Sequence, residues 1–144
     1  MSSMKIRNTL AAFLLLSAGV TYACMPGQNF DVYFSSDSAA VSSSEILRLA
    51  NWLVDQRIKY PTQEVLQVDG RAEDHERNAR ALAKARLQAV VSILKTQHFN
   101  QVPVDEHYGV YRSDDVGNGR RVEISILPAC PNPCCSDGDM PIKR

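Results

Sequence analysis

No charge of one sign dominates this chain of 144 residues: Lys and Arg number 16, Asp and Glu number 16, and the formal net charge is +0. That balance removes the electrostatic case for a diffuse grip on nucleic acid or on an anionic surface. Histidine is scarce as well. His75, His98 and His107 are scattered, without the spacing that metal ligands require, so no metal is expected. Serines are plentiful, yet none sits in a nucleophile elbow and no Ser/His/Asp set can be assembled. Nothing resembles a catalytic constellation, so the chain does not read as an enzyme and implies no cofactor. Internal repeats and long linkers are missing too. The remaining composition, 44% hydrophobic and 22% charged, suits one ordinary folded domain.

One apolar run stands apart, over residues 9–20. Lys5 and Arg7 precede it, and Thr21-Tyr22-Ala23 leads from it to Cys24. A positive start, a short apolar core and a small residue at the cut form the tripartite pattern of a secretory signal. The run is too short to span a bilayer comfortably. Residues 1–23 are therefore expected to be a signal peptide. Cys24 directly after a small residue looks like a lipobox, where the cysteine is acylated and anchors the chain in a membrane. Thr21 stands where lipoboxes prefer Leu, and ordinary cleavage after Ala23 would leave Cys24 as a thiol or disulfide partner. Met25 lacks the Asp of an inner-membrane retention signal, so the expected location is the periplasmic face of the outer membrane, or otherwise the periplasm.

The other cysteines, Cys130, Cys134 and Cys135, lie in a Cys- and Pro-rich tail over residues 128–144. In an oxidising compartment, pairing is the default. A zinc site is disfavoured because no histidine lies near and the spacing matches no common ligand set. A redox or metal role for these cysteines is the outlying alternative. Lipidation of Cys24 would leave an odd thiol among the three.

Between a short linker at 24–29 and the tail, the expected domain covers residues 30–127. Apolar residues at every second position mark strands over 30–34 and 120–126. Ser42 with Glu45 has the capping-box spacing, and it opens a helix that runs to about Arg57 before Pro61. A strand over 64–69 ends at Gly70, and a polar stretch from Arg71 to Arg80 leads into a second helix ending near Gln97. Short alternations over 102–111 suit a further strand. The order strand–helix–strand–helix–strand–strand is an α+β layer, two helices on one mixed sheet.

One residue does not fit its surroundings. On a helical wheel Leu82, Ala85, Ala89, Val90 and Ile93 define an inward arc, and Arg86 falls inside it. A guanidinium facing a core is costly unless paired. Either Arg86 snorkels or meets a structural carboxylate, or it faces a pocket and holds a carboxylate ligand with its bidentate fork. Glu76 and Arg80, spaced i,i+4, read as a solvated helix face.

Four blocks resemble the OmpA-like domain of the peptidoglycan-associated lipoprotein type. Val32-Tyr33-Phe34-Ser35-Ser36-Asp37-Ser38-Ala39-Ala40-Val41 is similar to the family's opening strand and loop, with Ser36 replacing an aromatic. Val68-Asp69-Gly70-Arg71-Ala72-Glu73 resembles its Val-x-Gly-His-Thr-Asp. Leu82 to Val90 resembles its Leu-Ser-x-x-Arg-Ala-x-x-Val helix, and Gly119-Arg120-Arg121-Val122-Glu123-Ile124 its Asn-Arg-Arg-Val-Glu-Ile ending.

The resemblance implies a non-catalytic module that binds peptidoglycan non-covalently. In the family an Asp takes the ammonium, and an Arg the carboxylate, of the diaminopimelate residue in the stem peptide. By position the Arg is Arg86, while Glu73 stands where the Asp usually sits, with Asp74 beside it. The loop after Glu73 is shorter than the family's, and Asn78 is one place off the family's Asn. Asp37, Arg120 and Arg121 are secondary pocket candidates; the plainer readings are a turn or cap for Asp37 and solvent exposure for the arginines. The alternative is an envelope protein that keeps the fold, has lost wall affinity, and works through protein partners.

Overall fold

A computed structural model of the chain describes residues 27–99, 101–115, 117–130, 132, 134 and 135. The expected signal peptide, Cys24 and the end of the tail from 136 on lie outside the described residues.

The described elements are β1 (Gln28–Tyr33), α1 (Ser43–Lys59), β2 (Gln63–Glu73), α2 (Ala79–Thr96), β3 (Val104–Tyr111) and β4 (Arg121–Pro128). The strands form one four-stranded mixed sheet in the order β1-β4-β2-β3. β4 runs antiparallel to both β1 and β2, whereas β2 and β3 are parallel neighbours. A parallel neighbour needs a crossover, and α2 supplies it. The fold is the expected α+β class.

Local chemistry accounts for the element ends. Ser42 caps α1 by accepting the Glu45 N–H, which is half of the expected box. Glu45 does not reach back to Ser42; its carboxylate accepts the Tyr33 N–H at the end of β1 instead (2.9 Å). Glu45 in the first turn of α1, with Arg57 and Lys59 in the last, also suits the helix dipole.

Alternation along β2 and β4 puts Leu66, Val68, Val122, Ile124 and Ile126 on the face beneath the helices. There they meet Leu49 and Leu53 of α1 and Leu87, Val90 and Leu94 of α2. The opposite face is polar. It carries Asp31, Asp69, Arg71, Arg121 and Glu123, and neither described helix covers it.

Two expectations need correction. The second strand does not end at Gly70; it continues to Glu73 and pairs with β3 along the way. Gly70 is there because α2 presses on it. A Cβ at that position would lie 2.5 Å from the Ala83 carbonyl oxygen and 2.7 Å from Leu87 Cβ. The glycine marks a close approach, not a strand end.

The inward face of α2 is also turned from the wheel's arc. Its buried residues are Ala83, Arg86, Leu87, Val90, Val91 and Leu94, with Leu82, Ala85, Ala89 and Ile93 half-buried beside them. The arc leaves out Ala83, Leu87, Val91 and Leu94; Arg86 lies at one edge of the buried face, on the side toward the arc.

Candidate functional site

The loops after β1, β2 and β3 meet at one end of the sheet, above the start of α2. Most of the candidate residues converge there.

Arg86 is fully buried, and so is the side chain of Glu76 against it. All five guanidinium N–H groups are used. Nη1 donates to Glu76 Oε2 (2.8 Å) and to the Arg71 carbonyl (3.0 Å); Nη2 donates to Glu76 Oε1 (2.6 Å) and to the Ser35 carbonyl (3.1 Å). Nε donates to the Ser38 carbonyl at 2.8 Å, and the guanidinium carbon stands 5.3 Å from the Phe34 ring centroid.

Glu76 is equally saturated. Besides Arg86, its Oε1 accepts the Asp37 N–H and its Oε2 the Glu73 N–H, both at 2.9 Å. Burial alone would push this carboxyl up. The hydrogen bonds from Arg86 and from the Glu73 and Asp37 backbones, together with the Arg86 charge, outweigh burial and hold it at about 2, down from 4.5.

Glu76 therefore is not a solvated helix residue. α2 begins only at Ala79, and Arg80 lies over the Tyr108 ring instead, 5.3 Å from its centroid. The pairing of Arg86 with a structural carboxylate, one of the two sequence alternatives, is what this geometry contains. It leaves Arg86 no N–H for a ligand.

A second carboxylate lies beside this pair. Glu73 closes β2, is buried, and accepts the Gly119 N–H through Oε1 at 2.9 Å. Its Oε2 is 3.4 Å from His75 Nε2 and 3.8 Å from Arg120 Nη1. The Arg120 side chain is 35% exposed, and its Nε is buried with no hydrogen-bond partner among the described residues. Asp74, half exposed, accepts the Ser113 hydroxyl at 3.1 Å, and that hydroxyl also lies 2.9 Å from His75 Nδ1. Anion and cation thus stand a few ångströms apart at a partly open edge, with donor capacity left on the cation.

The remaining candidates have other tasks. Asp37, at φ 55, accepts the Arg77 N–H at 2.7 Å and so ties the first loop to the second. Asn78 precedes α2 in the left-handed region, φ 49, and makes no side-chain cap bond; its carbonyl accepts the Leu82 N–H. Arg121 is not in the cluster. It lies on the outer sheet face, bonded to Glu123 and to the Gly117 and Asn118 carbonyls.

A groove of about 500 Å³ crosses that outer face, but its acids are engaged. Asp69 accepts from Arg71 and from the Tyr111 hydroxyl, and Glu123 accepts from Arg71 and Arg121. Burial, followed by the hydrogen bond to Asp69, pushes the Tyr111 hydroxyl up from 10.0.

In the tail, Cys130 and Cys135 form a disulfide, and no described cysteine is free. Among the described residues no group of His, Cys, Asp and Glu could hold a metal.

No protein-family model and no curated protein sequence matches the chain. Solved structures do. The OmpA-like domain of FopA1 from Francisella tularensis superposes with a TM-score of 0.53 at 21% identity, covering 71% of this chain and 73% of that one. The chain has the OmpA-like fold. The cell wall anchor of the T6SS from Pseudomonas aeruginosa gives a TM-score of 0.53 at 18% identity, over 71% of this chain and 82% of that one. The periplasmic domain of Helicobacter pylori MotB gives 0.50 at 19% identity, over 74% and 82%.

The OmpA-like architecture expected from the four sequence blocks is therefore borne out. Within that fold, sequence reasoning missed Glu76, His75, Ser113 and the Gly119 N–H. Only Glu76 had a usable signal. A buried Arg needs an anion, and the polar stretch from Arg71 to Arg80 that feeds its helix carries three acids: Glu73, Asp74 and Glu76.

Proposed function

We propose that this OmpA-like domain is a non-catalytic module of the cell envelope that holds peptidoglycan non-covalently at the loop end of its sheet. The observation that carries the reading is the edge formed by Glu73, Asp74 and Arg120. There a guanidinium with unused donors stands 3.8 Å from a carboxylate. A zwitterionic amino-acid end, such as that of diaminopimelate, needs an anion and a cation at such a spacing. Arg120 takes the carboxylate in this scheme, because Arg86 is committed to Glu76. A solved neighbour of this fold is itself described as a cell wall anchor.

The test is co-sedimentation with isolated sacculi. Wild-type protein should pellet with them, and Arg120→Ala should weaken binding about tenfold or more, the worth of one charge-assisted bond. Wild type that stays in the supernatant would sink the proposal.

The closed Glu76–Arg86 pair favours a second reading, in which the fold has lost wall affinity and serves as a structural or partner-binding element. A diaminopimelate soak separates the two. Ligand across Glu73 and Arg120 supports the first, and an empty edge supports the second.

We further propose export, with anchoring in the outer membrane through an acylated Cys24. Acylation and disulfide formation both consume the sulfur of that residue. Intact-mass analysis of the membrane fraction decides between them: a lipid-sized increment lost in Cys24→Ser is the expected result.

A further inference from the structure

The surroundings of Glu76 form a complete receptor for a carboxylate. Each of its oxygens receives one guanidinium N–H of Arg86 and one backbone N–H, from Asp37 at Oε1 and from Glu73 at Oε2. The four distances run from 2.6 to 2.9 Å. The donors come from the loop after β1, the end of β2 and the middle of α2, while Glu76 itself enters on the short turn between β2 and α2.

Nor is the receptor's main cation oriented by Glu76 alone. The carbonyls of Ser35, Ser38 and Arg71 hold the remaining three N–H groups of Arg86. The fork is thus held by three backbone carbonyls as well as by the glutamate, which is the condition for a preorganised site.

We propose that Glu76 acts as an internal ligand, filling a built carboxylate-binding site whose four donors would accept a free monocarboxylate in its place. In the wild type the tethered side chain wins. Its effective concentration exceeds that of a dissolved competitor, and the guanidinium is never left without a counter-charge. The site is latent, and its ligand class is a small planar carboxylate. The proposal stands whether or not Glu73 and Arg120 hold the cell wall.

Acetate consists of the atoms that Glu76→Ala removes, one carbon and a carboxylate, so it is the probe. At neutral pH and matched ionic strength, E76A should melt below wild type in chloride. Acetate should then raise its Tm in a saturable way, by about 4 °C or more. Wild type, Glu76→Gln and the double variant E76A/R86M should show no such rise. Two of these keep the site filled, and the third lacks the fork.

Folded E76A that acetate does not stabilise more than chloride does would overturn the proposal. So would an equal rise in the double variant. If E76A does not fold in chloride, refolding is followed by far-UV circular dichroism with acetate added. Return of the helical signal supports the internal-ligand role, and continued failure in saturating acetate overturns it.

Discussion

Two arginine–carboxylate assemblies in this domain share their chemistry and differ in their solvent. Arg86 and Glu76 are entirely out of water, with both side chains at 0% exposure. On the outer sheet face, Arg71 and Arg121 flank Glu123, and these three side chains retain 15 to 32% exposure. Removing an ion pair from water costs more than its mutual attraction returns unless every other valence is met. The inner pair meets them all: five donors and four acceptances, with no atom of either group left over. The outer set can leave bonds to water and pays little for imperfect geometry. The inner pair therefore ties the loop after β1 and the β2–α2 turn to the end of β2 and to α2, while the outer one decorates a surface.

The sharpest way to break this comparison is to remove one inner partner. Arg86→Met should lower the unfolding free energy in urea by about 3–5 kcal/mol, because it strands a buried carboxylate. Glu76→Leu combined with Arg86→Met should be less destabilised than Arg86→Met alone, since no buried charge remains without a partner. A double variant worse than the single would show that the pair, not its stranded half, supplies the stability.

Acid offers the next largest effect. The Glu76 carboxyl titrates at about 2 in the folded chain against 4.5 ordinarily, so the unfolded state binds its proton first as pH falls. The stability it contributes is complete above 4.5 and is lost as pH drops from there toward about 2. Denaturant midpoints measured across that window should fall steeply for wild type and less steeply for Glu76→Gln. Parallel slopes would remove Glu76 from the explanation.

The smallest effect belongs to the outer face. Glu123→Gln should cost about 1 kcal/mol or less, and the cost should shrink as salt is added. A loss as large as that of Arg86→Met, or one insensitive to salt, would erase the distinction between the two assemblies.

Much of this was legible beforehand. Alternation in Arg121-Val122-Glu123-Ile124-Ser125-Ile126 places β4, and Ser42 three residues before Glu45 starts α1, because these patterns act between near neighbours in the chain. Arg86 announced itself as a charge among apolar residues. Its partner did not. Glu76 and Arg80 have the spacing of a helical pair, but that spacing has meaning only inside a helix, and the turn before Ala79 is not one. Gly70 misled for a similar reason: what makes it glycine is the backbone of α2, distant in sequence and in contact in space.

By itself, the sequence determined the α+β order of elements, the apolar faces of the strands and a buried arginine that demanded an answer, since each follows from local periodicity. Only the tertiary structure decided what answers that charge. Arg86 is neutralised by a side chain that the β2–α2 turn delivers and that backbone N–H groups from two other places clamp. Which carboxylate satisfies a buried guanidinium depends on which atoms the closed chain brings within hydrogen-bond distance, and no spacing along the sequence encodes that.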